Sequence, residues 1–484
     1  MTNFGDGKPM KIAFLAMGLG VSGGINAVFE HGIYMKDHGE DVYVITRQKN
    51  EDIKKWRKEA EKLTILSFDE AKGMNFDVVI ATEWRSAYEV FGFKADKYAY
   101  FVQSIESRFF EGSDIVNRAY ADYTYTLPFS FITEATWIKN YLKEQYGQAA
   151  GLVLNGIKKD LFANIKPVEE PRTGHLRVLV EGRLEQPLKN VLATISLVNQ
   201  SGADEVWLLT GTKTDKVEGV DKLFSAVPLE EVPGIYASCD VLVKLSVVEG
   251  MYGPPLEMFH CGGTAITFNV TGSEEYIRHG ENALVAEIGD TDRIVEYINQ
   301  LKNDEKLLET LKDGARKTAE KWRDWETSSG EFYQIIMGLE NNSKEMLMAQ
   351  KGAELLSSVF DEINKRALVS YGDDSIYADK LETYHKPVLV YGAGQTTKKF
   401  IASLMQSNIE ITGIAVSSMD GNPAFVLGYK VRSIEDYLDI KDDVVVFIPS
   451  RKFADEIEAT LMQKGFKNVL KAADAEPVMR GLNG

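Results

Sequence analysis

The chain has 484 residues, of which 44% are hydrophobic and 26% are charged. A chain of this length is too long to fold around one ordinary hydrophobic core, so we expect two large domains and a smaller one. Its 55 basic and 72 acidic residues give a net charge of −17, which argues against nucleic acid as a partner, because phosphate binding needs a surplus of Lys and Arg. The two cysteines, Cys239 and Cys261, predict a reducing compartment and are too few for a cysteine metal site.

The N-terminal segment lacks the charged and then apolar pattern of a secretory signal. No apolar run approaches the roughly twenty residues that a membrane span needs. We therefore expect a cytoplasmic protein, and peripheral contact with the inner face of a membrane stays open.

The first third of the chain alternates apolar runs with helical periodicity. Residues 11–17 form an apolar run, residues 18–24 form a glycine-rich turn, a helical pattern extends to about residue 38, and residues 41–46 form the next apolar run. Strand, turn, helix and strand in this order predict a βαβ unit with parallel strands. Further buried strands are predicted at residues 76–81, 98–103 and 152–154.

A sharp turn at Asn155-Gly156 and a polar, proline-bearing stretch after it mark a domain boundary. A second βα series follows, with strands predicted at residues 176–180, 206–209, 241–245 and 264–268. The sequence thus predicts an α/β protein with parallel sheets. Its expected parts are a Rossmann-like lobe over residues 1–155, a second lobe over 156–329, a helical linker over 330–386 and a small Rossmann-like module over 387–484.

The most informative segment is Glu249-Gly250-Met251-Tyr252-Gly253-Pro254-Pro255-Leu256-Glu257, directly after the predicted strand 241–245. The two prolines suit the first turn of a helix, where missing backbone donors do no harm. The loop before them then offers N–H groups beside a positive helix dipole, which favours an anion. With Glu257 expected in the first helical turn and Glu249 on the loop, the two carboxylates could bracket a ligand that carries phosphate and hydroxyl groups.

Several motifs together resemble the donor-site block of retaining GT-B glycosyltransferases of family 4, of the bacterial polysaccharide or glycoconjugate type. These motifs are the Glu249/Glu257 spacing, Cys261-Gly262-Gly263-Thr264, Thr271-Gly272-Ser273-Glu274-Glu275-Tyr276-Ile277, and Glu181-Gly182-Arg183-Leu184 followed by Lys189-Asn190. Asn155-Gly156-Ile157 is similar to the family's crossing between lobes, and the resemblance covers roughly residues 10–325.

The resemblance implies roles for the matching side chains. Arg183 and Lys189 would hold the donor's diphosphate, since a leaving diphosphate needs fixed positive charge. Glu257 would bind the ribose hydroxyls of the nucleotide. Glu249 would lie beside the transferred sugar and favour positive charge at its anomeric carbon.

The resemblance also implies contacts made by the main chain. The backbone around Gly250, Met251 and Tyr252 would contact phosphate. Gly23 and Gly24 would let the N-terminal loop approach the donor from across the cleft, although such a glycine turn is common in any doubly wound fold.

Two positions depart from the family's pattern. Met251-Tyr252-Gly253 stands where the family often has Phe-Gly-Leu, which moves the glycine that can adopt a positive φ. Gln103 stands where many relatives have a histidine near the transferred sugar. It could bind a sugar hydroxyl, or it could be a hydrogen-bonding residue at a strand end.

We expect neither a metal nor a cofactor besides the nucleotide-sugar substrate. The six histidines are scattered along the sequence. Asp290-Thr291-Asp292 is an acid-x-acid pattern, but it precedes an apolar-periodic helix, so helix capping explains it better.

The C-terminal module begins with a motif similar to a dinucleotide-binding fingerprint, Gly392-Ala393-Gly394 after the predicted strand 388–390. Thr397 replaces the third glycine and would push the helix away from the strand. After the next predicted strand, 411–416, Asp420 is the nearest candidate acid for a ribose. The module resembles Rossmann modules appended to bacterial polysaccharide enzymes, and a structural or oligomerisation role is favoured over cofactor binding.

The resemblance implies transfer of a hexosyl or deoxyhexosyl group from a nucleotide sugar to a hydroxyl of a glycan, a lipid-linked precursor or a glycoprotein. The reaction would retain the anomeric configuration and need no metal. Two alternatives stay open: a nucleotide-sugar-binding partner without turnover that supports an active transferase, and an oxidoreductase or epimerase in the C-terminal module. Self-association or association with a partner transferase also stays open.

Overall fold

The computed structural model describes residues 8–20, 22–47, 57–110, 114–162, 165–371, 377, 380–394, 396–397, 400–401, 409–423, 425–426, 429–450 and 453–472. The chain divides into two compact units, one of Met1–Arg183 with Leu188–Phe360 and the other of Leu184–Pro187 with Asp361–Gly484. No helix of the described residues is both long enough and apolar enough to cross a lipid bilayer.

The first unit contains two lobes, each built on a sheet. The N-terminal lobe has seven strands in the order β3-β2-β1-β4-β5-β6-β7, and the second lobe has six in the order β10-β9-β8-β11-β12-β13. The strands of the N-terminal lobe are β1 (Lys11–Ala16), β2 (Asp41–Thr46), β3 (Thr64–Ser67), β4 (Asn75–Ala81), β5 (Lys94–Val102), β6 (Ser130–Thr133) and β7 (Ala150–Leu152). The strands of the second lobe are β8 (Arg177–Glu181), β9 (Glu205–Thr210), β10 (Lys222–Ser225), β11 (Val241–Lys244), β12 (Thr264–Phe268) and β13 (Ala283–Ala286).

All strand pairs of these two sheets are parallel. Strands β11 and β12 are buried throughout, as expected where helices cover both faces of a parallel sheet. The predicted strands at residues 41–46 and 264–268 are β2 and β12. The α/β architecture with parallel sheets is therefore confirmed.

The described residues of the first unit contain the starts of twelve α-helices. They are α1 (Gly23–Asp37), α2 (Phe68–Ala71), α3 (Trp84–Glu89), α4 (Ile115–Tyr123), α5 (Thr136–Tyr146), α6 (Val191–Asn199), α7 (Val232–Ala237), α8 (Gly253–His260), α9 (Thr291–Asn303), α10 (Glu305–Lys321), α11 (Trp325–Met337) and α12 (Ser343–Tyr371). The last of these runs beyond Phe360, where the first unit ends.

The chain passes between the two lobes twice, and the two crossings touch. Ile157 forms a parallel bridge with Asp324, and the Trp322 indole N–H donates to the Asn155 carbonyl at 3.0 Å. A Cβ on Gly156 would lie 2.3 Å from the Asp324 carbonyl carbon, so only glycine permits this approach.

After the second crossing the chain returns to the N-terminal lobe. Helix α11 packs on α1, where Phe332 and Ile336 are fully buried and Ser329 Oγ lies 3.0 Å from His31 Nδ1. Burial lowers the pKa of His31 to about 3, so this imidazole is neutral. The helix runs across the domain boundary expected at residue 329.

Helix α12 continues along the same lobe. Met346 and Ala353 are buried in its core, and Phe360 stacks on Tyr120 with ring centroids 3.9 Å apart. The first part of the expected linker is therefore a packed element of the first unit.

The second unit has a six-stranded sheet in the order β16-β17-β15-β14-β18-β19. Its described strands are β14 (Val388–Tyr391), β15 (Ile411–Val416), β16 (Phe425–Val426), β17 (Tyr429–Ser433), β18 (Val445–Ile448) and β19 (Val469–Lys471), and α13 (Ala454–Gln463) is one of its helices. Only the β16–β17 pair is antiparallel among the described strands. The predicted Rossmann-like sheet is present.

The glycine turn after β14 is close-packed. Gly392 has φ +106°, and a Cβ on it would lie 3.4 Å from Thr397 Oγ1. Thr397 is buried at the third-glycine position, and Gln395 lies outside the described residues. Asp420 is exposed, and its N–H donates to Ser418 Oγ.

Candidate active site

The candidate site of the second lobe begins where β8 ends. Gly182 has φ +146°, and a Cβ there would lie 2.8 Å from Val191 Cγ2 and 3.3 Å from Lys189 Cβ. The glycine therefore lets the segment that carries Lys189 approach the carboxyl end of the sheet. Half-buried Arg183 follows, with its Cγ 3.7 Å from the Cβ position of Gly211, just after β9.

Lys189 and Glu249 form an ion pair between the ends of β8 and β11. Lys189 Nζ lies 2.8 Å from Glu249 Oε1 and 2.7 Å from Oε2. The Glu249 side chain is 8% exposed. Burial alone would raise the pKa of Glu249, but Lys189 and Lys244 together hold it below its ordinary value. The structure thus brings two of the predicted residues together as a charged pair.

Lys244 was not selected in the sequence analysis, and it is the second cation of this cluster. Its Nζ lies 2.6 Å from Glu181 Oε2 and 3.1 Å from the Glu181 carbonyl oxygen, and its side chain is 2% exposed. Burial acts to lower the pKa of Lys244, but Glu181 and Glu249 raise it above the ordinary value. Lys244 is therefore a permanent charge beneath the loop that carries Glu249.

Glu257 is the fifth residue of α8, so the expectation that it lies in the first helical turn was wrong. The helix begins at Gly253, with Pro254 in its first turn, and Glu257 lies one turn further on. It is half-buried, and burial and then the charge of Glu181 raise its pKa to about 7, against a hydrogen bond from Tyr236.

The loop before α8 turns its tyrosine inward. Tyr252 is fully buried, and its hydroxyl donates to the Lys244 carbonyl at 2.7 Å. A ligand at this loop can therefore meet only the main chain of Tyr252. Gly272 has the left-handed conformation here, with φ +84°, and a Cβ on it would lie 2.0 Å from the Gly250 carbonyl oxygen. The positive φ thus falls outside the Met251-Tyr252-Gly253 segment.

The N-terminal lobe touches this loop directly. A Cβ on Gly250 would lie 1.9 Å from the Gln103 carbonyl oxygen, and the Trp137 indole N–H donates to the Gly250 carbonyl at 2.9 Å. Glu134 Oε1 accepts from the Met251 N–H at 3.1 Å. Neither Glu134 nor Trp137 could be selected from the sequence, because their contacts with Met251 and Gly250 join segments that are 117 and 113 residues apart.

Gly24 and Gln103 are also brought together. A Cβ on Gly24 would lie 2.7 Å from Gln103 Oε1, whereas nothing lies within 4 Å of the Cβ position of Gly23. Gln103 Nε2 donates to the Thr82 carbonyl at 3.2 Å, which agrees with the strand-end alternative. Its Oε1 is buried and has no hydrogen-bond partner in the described part of the chain.

The acidic pattern at residues 290–292 has a structural explanation. Asp290 is the N-cap of α9, and its carboxylate accepts from the Arg293 N–H at 3.2 Å. The capping interpretation is confirmed. Within the described ranges, no three His, Cys, Asp or Glu side chains are grouped as a metal would require.

Two parallel-sheet lobes crossed twice by the chain, with a helix returning to the first lobe, define the GT-B glycosyltransferase fold. Solved structures support this assignment. The Anabaena protein HepE in complex with UDP-glucose is similar with a TM-score of 0.56 at 15% identity, over 68% of this chain and all of that one. The lipopolysaccharide glycosyltransferase WaaG is similar with a TM-score of 0.53 at 14% identity, over 68% of this chain and all of that one.

The sequence comparisons agree in the second lobe. Residues 213–318, which include Glu249 and Glu257, match the family of glycosyl transferases group 1. Residues 384–469 match a family described as C2185-like, N-terminal. The first match lies within the second lobe, and the second match lies within the C-terminal module.

Curated relatives match part of the chain. The O-antigen biosynthesis protein RfbC of Myxococcus xanthus is 28% identical over 220 residues, which are 44% of this chain and 17% of that protein. The N-acetyl-alpha-D-glucosaminyl L-malate synthase of Bacillus anthracis is 26% identical over 39% of this chain and 47% of its own length. The O-antigen chain mannosyltransferase B of Escherichia coli is 30% identical over 28% and 34%. The chain thus spans less than half the length of each of these relatives.

Proposed function

We propose that this chain is a retaining, metal-independent glycosyltransferase that transfers a hexosyl or deoxyhexosyl group from a nucleotide sugar to a hydroxyl acceptor. The observation that carries this proposal is the Lys189–Glu249 pair at the carboxyl ends of β8 and β11. Ligands of open parallel sheets bind at these strand ends. Lys189 is poised there as a cation for a diphosphate, and Glu249 as a carboxylate beside the sugar.

The chemistry follows from the charges of these side chains. A departing nucleoside diphosphate develops negative charge, which Lys189 and Arg183 would stabilise from fixed positions. Glu249, held ionised by two lysines, would favour the positive charge that develops at the anomeric carbon. Glu257 would accept hydrogen bonds from ribose hydroxyls, and the leaving phosphate itself would take the acceptor's proton. No protein nucleophile and no metal is needed in this scheme.

The acceptor is proposed to be a glycan, a lipid-linked precursor or a glycoprotein in the synthesis of a bacterial surface polysaccharide or glycoconjugate. Two of the relatives are proteins of O-antigen synthesis, which supports this class of acceptor. We further propose that the protein acts in the cytoplasm without a bound cofactor, and that the C-terminal module supports association rather than dinucleotide chemistry.

The test is a screen of nucleotide sugars for release of nucleoside diphosphate, with and without candidate acceptors and with and without EDTA. We expect release with at least one donor, stimulation by an acceptor, and the same rate in EDTA. Binding of a donor without release under every condition would favour the alternative of a partner that lacks turnover. Loss of activity in EDTA with recovery in magnesium or manganese would overturn the metal-free mechanism. Retention is checked by NMR of the product's anomeric configuration.

A further inference from the structure

Glu134 is a buried carboxylate at the point where the two lobes meet. It lies between β6 and α5 and is 6% exposed. Its Oε1 accepts from the Met251 N–H of the second lobe at 3.1 Å, and its Oε2 accepts from the Asn155 side-chain amide at 2.9 Å. The carboxylate thus joins the loop before α8 to the crossing between the lobes.

The neighbouring contacts hold this loop against the N-terminal lobe. The Trp137 indole binds the Gly250 carbonyl, and Glu275 accepts from both the N–H and the hydroxyl of Thr136 at the start of α5. The Gln103 carbonyl leaves no room for a side chain at Gly250. These contacts keep the loop, and with it the Met251 N–H, next to the segment that carries Glu134.

The Met251 N–H belongs to the loop that the proposed function assigns to the donor's phosphate. A main-chain N–H before a helix N-terminus binds phosphate and carboxylate oxygens by the same interaction. The Glu134 carboxylate and a donor phosphate would thus compete for one hydrogen-bond donor. Two anions at hydrogen-bonding distance from the same N–H also repel each other strongly in a buried site.

We propose that Glu134 is a positioning residue whose carboxylate occupies the Met251 N–H in place of a donor phosphate, so that binding of a nucleoside diphosphate group must displace or neutralise it. This inference rests on the proposed function and adds to it a built-in competitor that lowers donor affinity. The class of ligand is a nucleoside diphosphate sugar.

The ionisation of Glu134 agrees with this geometry. Burial and, to a smaller extent, the nearby Glu249 carboxylate raise its pKa to about 7, against the hydrogen bonds that Asn155 and Met251 donate to it. The charged groups near it are Glu249 on the loop, with its partner Lys189, and Glu275 of the second lobe, which accepts hydrogen bonds from Thr136 at the start of α5. The fraction of Glu134 that carries the competing charge is therefore smaller at pH 6 than at pH 8.

The experiment measures binding of a nucleotide sugar found in the screen to the full chain by calorimetry at pH 8 and pH 6. We compare the wild type with Glu134→Gln, Glu134→Ala and the control Glu144→Gln, which removes one exposed charge from α5. A sugar-linked diphosphate has no group that titrates in this range, so changes in the ratio of affinities report on the protein. Melting temperatures show that each variant is folded.

We expect both Glu134 variants to bind the donor at least about fivefold more tightly than the wild type at pH 8, as removal of a neighbouring like charge predicts. This ratio should shrink towards one at pH 6, and Glu144→Gln should bind as the wild type does at both values. Equal or weaker binding by both Glu134 variants at pH 8, or a ratio that does not change with pH, would overturn the inference while leaving the proposed function standing. A wild type that binds no nucleotide sugar would overturn both.

Discussion

Lys189 meets Glu249 through both carboxylate oxygens in a largely buried setting. An ion pair of this kind is a costly way to stabilise a fold, because desolvation offsets much of the attraction. It is better explained by a reaction in which each charge acts on a different part of one substrate. Lys189 and Glu249 thus fix each other's positions and charges for the proposed reaction.

Removal of either basic side chain tests that explanation. We expect Lys189→Met and Arg183→Met each to lower kcat at least about tenfold, since charge on a leaving diphosphate needs fixed cations. Steady-state release of nucleoside diphosphate is the measurement. Lys216→Met, which removes an exposed lysine of the same lobe, is the control and should keep the wild-type rate. Rates near the wild type in both variants would show that neither Lys189 nor Arg183 stabilises the leaving diphosphate.

Glu257 tests the nucleotide end of the site. We expect Glu257→Ala to weaken donor binding by about 1–3 kcal/mol, because ribose hydroxyls would lose their acceptor. Glu257→Gln keeps an acceptor oxygen and should lose less. Calorimetry with the nucleoside diphosphate separates binding from turnover. Unchanged affinity in the alanine variant would place the ribose elsewhere.

At the scale of elements, the neighbouring strands β8 and β11 end in an ion pair, between Glu181 and Lys244, that neither strand's sequence predicts by itself. Lys244 ends an otherwise apolar run, and Glu181 ends another. The parallel register places β11 beside β8, so the two side chains meet under the loop of Glu249. Gly182, between Glu181 and Arg183, keeps that space open.

We expect Lys244→Met to destabilise the protein by about 2–4 kcal/mol, because it leaves Glu181 largely buried without its cation. The double variant Lys244→Met/Glu181→Leu should regain most of that loss, since a matched apolar pair can replace a buried ion pair. Urea unfolding followed by tryptophan fluorescence measures both. A double variant as unstable as the single one would show that the lysine is needed for another reason.

The same elements show what sequence could and could not predict. Short apolar runs predicted β2 and β12, and proline placement predicted the start of α8, because these signals are local. Glu134, Lys244 and the pairing of Lys244 with Glu181 were not predicted, since they depend on which segments become neighbours. Glu257 was placed one turn too early because Gly253, not a proline, begins α8.

For the whole molecule, the return of α11 and α12 to the N-terminal lobe sets where the chain can be divided. Phe332, Tyr333 and Ile336 lie in the core of that lobe with 2% exposure or less. The Tyr333 hydroxyl also donates to the buried Glu40 carboxylate at 2.6 Å. A boundary at residue 329, drawn from helical periodicity alone, would leave this part of the core open.

We therefore expect a chain ending at Phe360 to fold and to bind the nucleotide sugar as the full chain does. A chain ending at residue 329 should lose three large core side chains, each worth about 1.5–3 kcal/mol of burial, and with them its cooperative melting.

The chain that ends at Phe360 also tests the role proposed for the C-terminal module. If that module supports association, the Phe360 chain should be smaller in light scattering than the full chain, or less efficient on the natural acceptor, at equal donor affinity. Equal mass and equal acceptor efficiency would contradict the association role, and tight NAD(P) binding that the truncation abolishes would assign the module to a dinucleotide instead, despite Thr397 at the third-glycine position.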